Sequence, residues 1–197
     1  MRRTLTLLLA VALFSALATG CSNHDENEWQ RLVCEVSSVN AGSPLLSAYL
    51  YIGPDLIAGT ADDIFPVDSV PVQFYARPYS SSLVIPEDDV SSWFHVTNYD
   101  LTWVPGPNCP EEITDYNIVG APCEALVPVG DYGMVNILVA DRVMKEEPWF
   151  QALYTNPGSS FTAAVQLTFY GHETGNTQVV EVPGGFMATF YGAVDPD

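Results

Sequence analysis

Thr162-Ala163-Ala164-Val165-Gln166-Leu167-Thr168-Phe169-Tyr170-Gly171 decides the fold. Ala163, Val165, Leu167 and Phe169 alternate with Thr162, Gln166 and Thr168, the period of two expected when successive side chains point to opposite faces of a strand. Gly171-His172-Glu173-Thr174-Gly175-Asn176 then supplies turn chemistry. Val179 to Val182 and Phe186 to Tyr191 return, so the segment predicts an antiparallel hairpin.

Upstream the same period recurs. Leu32, Cys34 and Val36 alternate with Arg31, Glu35 and Ser37. A second strand is predicted with Leu46, Ala48, Leu50 and Ile52 inward and Ser47, Tyr49 and Tyr51 outward. A third has Val70, Val72, Phe74 and Ala76 inward, with Pro71 expected at an edge or at the strand start. From Trp93 to Val104 the phase changes. Phe94 and Val96 share one parity and Tyr99, Leu101 and Trp103 the other, which predicts a β-bulge near Thr97 or Asn98.

Gly130-Asp131-Tyr132-Gly133 reads as a turn leading into Val135, Ile137 and Val139. Asp141 to Tyr154 fits one or two helical turns, interrupted at Pro148. Seven to eight short strands between Gly, Pro, Asn and Asp clusters predict an all-β, antiparallel β-sandwich, with a closed barrel as the alternative. No fixed-period repeat is present.

The N-terminus carries a different signal. Met-Arg-Arg precedes an apolar run from Leu5 to Leu17, too short to span a bilayer, and Ala18-Thr19-Gly20-Cys21 follows. These four residues resemble the lipobox of bacterial lipoproteins. That resemblance implies a signal peptide over 1–20, diacylglycerol on Cys21 and a polar tether over 21–28, leaving 29–197 as the β-sandwich domain. Ser22 after the lipidated Cys implies sorting to the outer membrane, by similarity to enteric bacterial lipoproteins. The chain carries 24 acidic and six basic residues, a net charge of −18 at pH 7. Such a surface repels phosphate backbones and anionic headgroups, which argues against nucleic-acid binding.

With Cys21 taken by lipid, Cys34, Cys109 and Cys123 remain for an oxidising compartment. Cys109 and Cys123 flank the Pro-rich, acidic stretch Pro110 to Pro122, which shows little periodic pattern. Closing that loop of about 15 residues would stabilise the fold by roughly 3 kcal/mol. A Cys109–Cys123 disulfide is the expectation, with Cys34 a buried free thiol, although three pairings exist on paper.

Ser69-Val-Pro-Val-Gln-Phe74, Val96-Thr-Asn-Tyr-Asp-Leu-Thr-Trp103 and Ala164-Val-Gln-Leu-Thr-Phe-Tyr-Gly171 occur in order and are followed by a turn and a strand ending at Phe190. This arrangement resembles immunoglobulin-like lipoprotein domains of bacteria. The resemblance implies an immunoglobulin-like sandwich at the cell envelope, although the antibody pattern of two Cys flanking a Trp is absent.

Gly53-Pro54-Asp55-Leu56-Ile57-Ala58-Gly59-Thr60-Ala61-Asp62-Asp63 is the most distinctive loop. It resembles Gly-Pro-Asp loops of extracellular bacterial proteins, some of them beside calcium-binding repeats. Asp55, Asp62 and Asp63 with Thr60 and backbone carbonyls offer oxygen ligands for calcium. In the competing reading, Gly59 takes positive φ and the carboxylates bond to nearby backbone N–H groups.

No Gly-x-Ser-x-Gly, His-Glu-x-x-His or Cys-x-x-Cys motif is present. His24, His95 and His172 fall in a tether, a strand and a turn. A carboxylate pair of the glycosidase kind cannot be tested by spacing when its members come from different strands. Among the aromatic residues, Tyr49 and Tyr51 are the expected exposed platform for a sugar or peptide. The sequence thus predicts a non-catalytic, lipid-anchored binding or assembly module with a protein or glycan partner. A calcium-stabilised adhesion module and a hydrolase are the alternatives.

Overall fold

The computed structural model describes residues 30–57, 60–86, 89–155 and 158–192. Segments 1–20 and 21–28, Cys21 and Gly59 lie outside the described residues.

Eight strands form: β1 (Leu32–Val39), β2 (Leu45–Ala48), β3 (Asp68–Pro78), β4 (Phe94–Pro105), β5 (Ile118–Val127), β6 (Tyr132–Ala140), β7 (Ser160–Glu173) and β8 (Val180–Tyr191). They make a three-stranded sheet in the order β1-β3-β6 and a five-stranded sheet in the order β2-β8-β7-β4-β5. Neighbours run antiparallel except β2, which lies parallel to β8. The predicted hairpin pairs without interruption from Ser160↔Tyr191 to Gly171↔Val180. Its alternating set, Ala163, Val165, Leu167 and Phe169, is no more than 2 % exposed. Across the core, Phe74 of β3 meets Phe169 of β7 edge to face with centroids 4.9 Å apart, so the two sheets form a β-sandwich.

The phase change in β4 is a bulge. Register shifts between Val96 and Asn98 on both sides of the strand, toward β5 and toward β7. The extra residue lets Phe94 and Val96 face the same core as Tyr99, Leu101 and Trp103, all of them buried. Pro71 lies near the start of β3, beyond the point where β1 pairing ends at Val39↔Val72. On that side no ladder exists for proline to break.

Two short helices, α1 (Arg142–Lys145) and α2 (Gln151–Thr155), flank Pro148 as expected. Asp141 caps α1 by accepting from Met144 N at 2.9 Å. The segment closes one end of the sandwich through aromatic contact, with Phe150 edge-on to Phe190 at 5.1 Å and Trp149 6.0 Å from Phe161.

Three expectations are corrected. First, the phase of β2 is reversed at Leu46 and Ser47. Leu46 is 67 % exposed, Ser47 is buried, and Ala48, Tyr49 and Leu50 are buried in succession. The strand ends at Ala48, and the chain then packs against Lys145 and Phe150, where burial no longer alternates. Second, the stretch read as a patternless loop contains a 3₁₀ turn over Glu111–Tyr116 and the strand β5. As the edge of its sheet, β5 tolerates Pro122.

The third correction follows from the second. Cys34, Cys109 and Cys123 are all free thiols. Cys123 sits beside the bulge, between the pairs Asn98↔Pro122 and Val96↔Ala125. Cys109 N bonds to Gly106 O, just past the far end of β4. At about 3.3 Å per residue the intervening part of β4 spans roughly 26 Å. A disulfide needs Cα atoms within about 7 Å, so the predicted Cys109–Cys123 bridge does not form. Cys34 is a buried free thiol, as expected.

Candidate functional site

In the acidic loop, Asp63 accepts from Gly53 N at 2.9 Å through Oδ1 and from Thr60 N at 3.0 Å through Oδ2. Asp62 accepts from Thr60 Oγ1 at 2.6 Å and from Asp55 N at 3.3 Å. Asp55 Oδ1 accepts from Ile57 N at 2.8 Å. The Thr60 hydroxyl, ahead of the backbone donors, holds the Asp62 carboxyl below the usual range. A Cβ at Gly53 would fall inside the Asp62 carboxylate, which is why glycine stands there. The three predicted calcium ligands thus share one loop, and their oxygens are directed at its own N–H and O–H donors. Among the described residues, no three His, Cys, Asp or Glu side chains converge as metal ligands.

The expected aromatic platform does not assemble. Tyr49 is 5 % exposed, edge-on to Phe65 at 5.4 Å and stacked on Phe150 at 6.2 Å. Tyr51, two residues on, stands at the surface and exchanges backbone hydrogen bonds with Ile64 at 2.8 and 3.0 Å. Neither partner of Tyr49 is visible in its local pattern, so its burial is a tertiary effect.

Two charge pairs that sequence reading missed each set one ionisable side chain in the interior. Lys145, the chain's single lysine, has no exposed side-chain surface; its Nζ lies 2.7 Å from Asp68 Oδ2 and donates to Ala48 O at 3.0 Å. Ser47 Oγ donates to the same Asp68 oxygen at 2.6 Å. Burial pulls the Lys145 ammonium below its ordinary pKa, and the facing Asp68 carboxylate works against that shift. At the opposite end of β7, the buried Glu173 accepts from Arg31 N at 3.1 Å and Arg31 Nε at 2.6 Å. A lone lysine in an acidic chain was the available signal for the first pair. Its partner lies 77 positions away, which no local pattern encodes.

On the outer face of the five-stranded sheet, β4 and β7 bring His95 directly opposite His172. Phe94, Val96, Gly171 and Glu173 are buried, so both imidazoles point outward. Gly171 keeps the strands close, because a Cβ there would sit 2.6 Å from His95 O. The ring centroids are 5.4 Å apart. From the neighbouring strand, Glu124 places Oε1 3.7 Å from His95 Nε2. His95 and Glu124 line an open groove of about 430 Å³ with Thr97, Pro122 and Cys123. Burial pushes the Cys123 thiol up to about 11.

This histidine pair on a rigid sheet is the densest grouping of potential ligand nitrogens in the described residues. No helix among them is long and apolar enough to cross a membrane. No protein-family model matches the chain, and no curated protein matches it at a significant level.

Proposed function

We propose that the chain is a non-catalytic module of the bacterial cell envelope, an immunoglobulin-like β-sandwich held at the outer membrane by lipid on Cys21, that binds or braces a neighbouring envelope protein or glycan. One observation carries this reading. The buried ionisable groups Lys145 and Glu173, with the half-buried Asp68, are each engaged in tying one element of the scaffold to another. Their chemistry is therefore committed to rigidity, as suits a domain that presents surfaces and does not turn over a substrate. The outward side of β6 offers such a surface in Tyr132, Met134 and Leu138, all exposed.

The test is fractionation of cells expressing the wild type and Cys21→Ala. The variant should leave the membrane fraction with an unchanged melting temperature, whereas persistent membrane association would overturn the anchoring part of the proposal. Turnover of a peptidoglycan or peptide substrate by the purified protein would overturn the non-catalytic part.

A further inference from the structure

We propose that His95 and His172 form a two-histidine binding site for a transition-metal ion of the zinc type on the outer face of the five-stranded sheet, which Glu124 joins as third ligand only by swinging across from β5 once the ion is bound. Two imidazole nitrogens 2.0–2.1 Å from one ion at a tetrahedral angle would bring their ring centroids to roughly 5 Å. The observed separation is 5.4 Å. The rings meet edge to face at 61°, so chelation at this spacing requires the imidazoles to turn until one nitrogen of each is directed at the ion.

Three further features favour the site. Both histidines belong to paired strands whose register is pinned by the bulge at Thr97 and by the close approach at Gly171, so little freedom is lost when they chelate. Glu124 approaches His95 from β5, and its side chain is 80 % exposed. Rotation about its own bonds brings a carboxylate into a ligand set of two imidazoles, one carboxylate and water, a set suited to zinc and unlike the all-oxygen set of calcium. The strongly acidic chain, with a net charge of −18, also raises the local concentration of cations.

The experiment is calorimetric titration of zinc alone into the mature full-length protein, repeated with cobalt followed by its visible absorption. One ion per chain is expected. His95→Ala and His172→Ala should each weaken binding by about tenfold or more, Glu124→Gln by a few-fold, and His24→Ala not at all. Melting curves without metal establish that the variants are folded, and His95→Gln and His172→Gln serve if an alanine variant is not. Absence of saturable binding, affinity unchanged in both histidine variants, or binding that follows His24 would each overturn the site.

Discussion

Lys145 Nζ and Asp68 Oδ2 lie 2.7 Å apart, in a place where the lysine side chain has no contact with solvent. Removing one partner leaves the other charged and buried, at a cost of about 3–5 kcal/mol, whereas removing both is far milder. Lys145→Met and Asp68→Asn should each lower stability by that order, and the double variant should be no less stable than either. Urea denaturation of the four proteins measures this. Because Lys145 is the only lysine, an amine-reactive ester should leave its side chain unmodified in the folded protein and label it after unfolding.

Cys34 predicts an alkaline limit. Burial, followed by the neighbouring Glu35 charge, raises its thiol from 9.0 to about 12. Between those values the unfolded thiol has lost its proton while the folded one keeps it, so the unfolded state binds fewer protons and stability falls as pH rises. The decline is at most about 1.4 kcal/mol per pH unit from this group. Stability plotted against pH above 9 should therefore fall more steeply for the wild type than for Cys34→Ala. Equal slopes would show that the thiol is not held protonated.

Alkylation of the unreduced, unfolded protein should modify Cys34, Cys109 and Cys123 alike. Recovery of a linked peptide joining Cys109 to Cys123 would contradict the strand register that separates them.

The acidic loop gives a further expectation. Gly53→Ala forces a methyl group into the Asp62 carboxylate and should destabilise the domain by about 1–3 kcal/mol. Calcium at millimolar concentration, compared with chelator, should leave the wild-type melting temperature unchanged, since the loop's carboxylates already have donors within it.

What was legible in the chain was local. The alternation around Val165 and the parity switch between Val96 and Tyr99 are patterns of a few residues, and each became the predicted strand or bulge. Tyr49 reads as an outward residue because its neighbours alternate, yet Phe65 and Phe150 reach it from distant segments. β5 was obscured by Gly120, Pro122 and a face that covers the core fully only at Ala125 and Val127; an edge strand needs little apolar pattern to pair on one side. The histidines illustrate the same limit. His95 and His172 are 77 positions apart, and only the register of β4 against β7 makes them neighbours.

The clasp between Arg31 and Glu173 has a mechanical consequence. Any pull transmitted through the residues before 30 reaches Arg31 first, where the backbone N–H and the guanidinium both grip one carboxylate. That carboxylate belongs to β7, in the sheet opposite β1. Load is thereby divided between both layers before the first strand can peel from β3, and the domain resists tension applied at Arg31 as a unit.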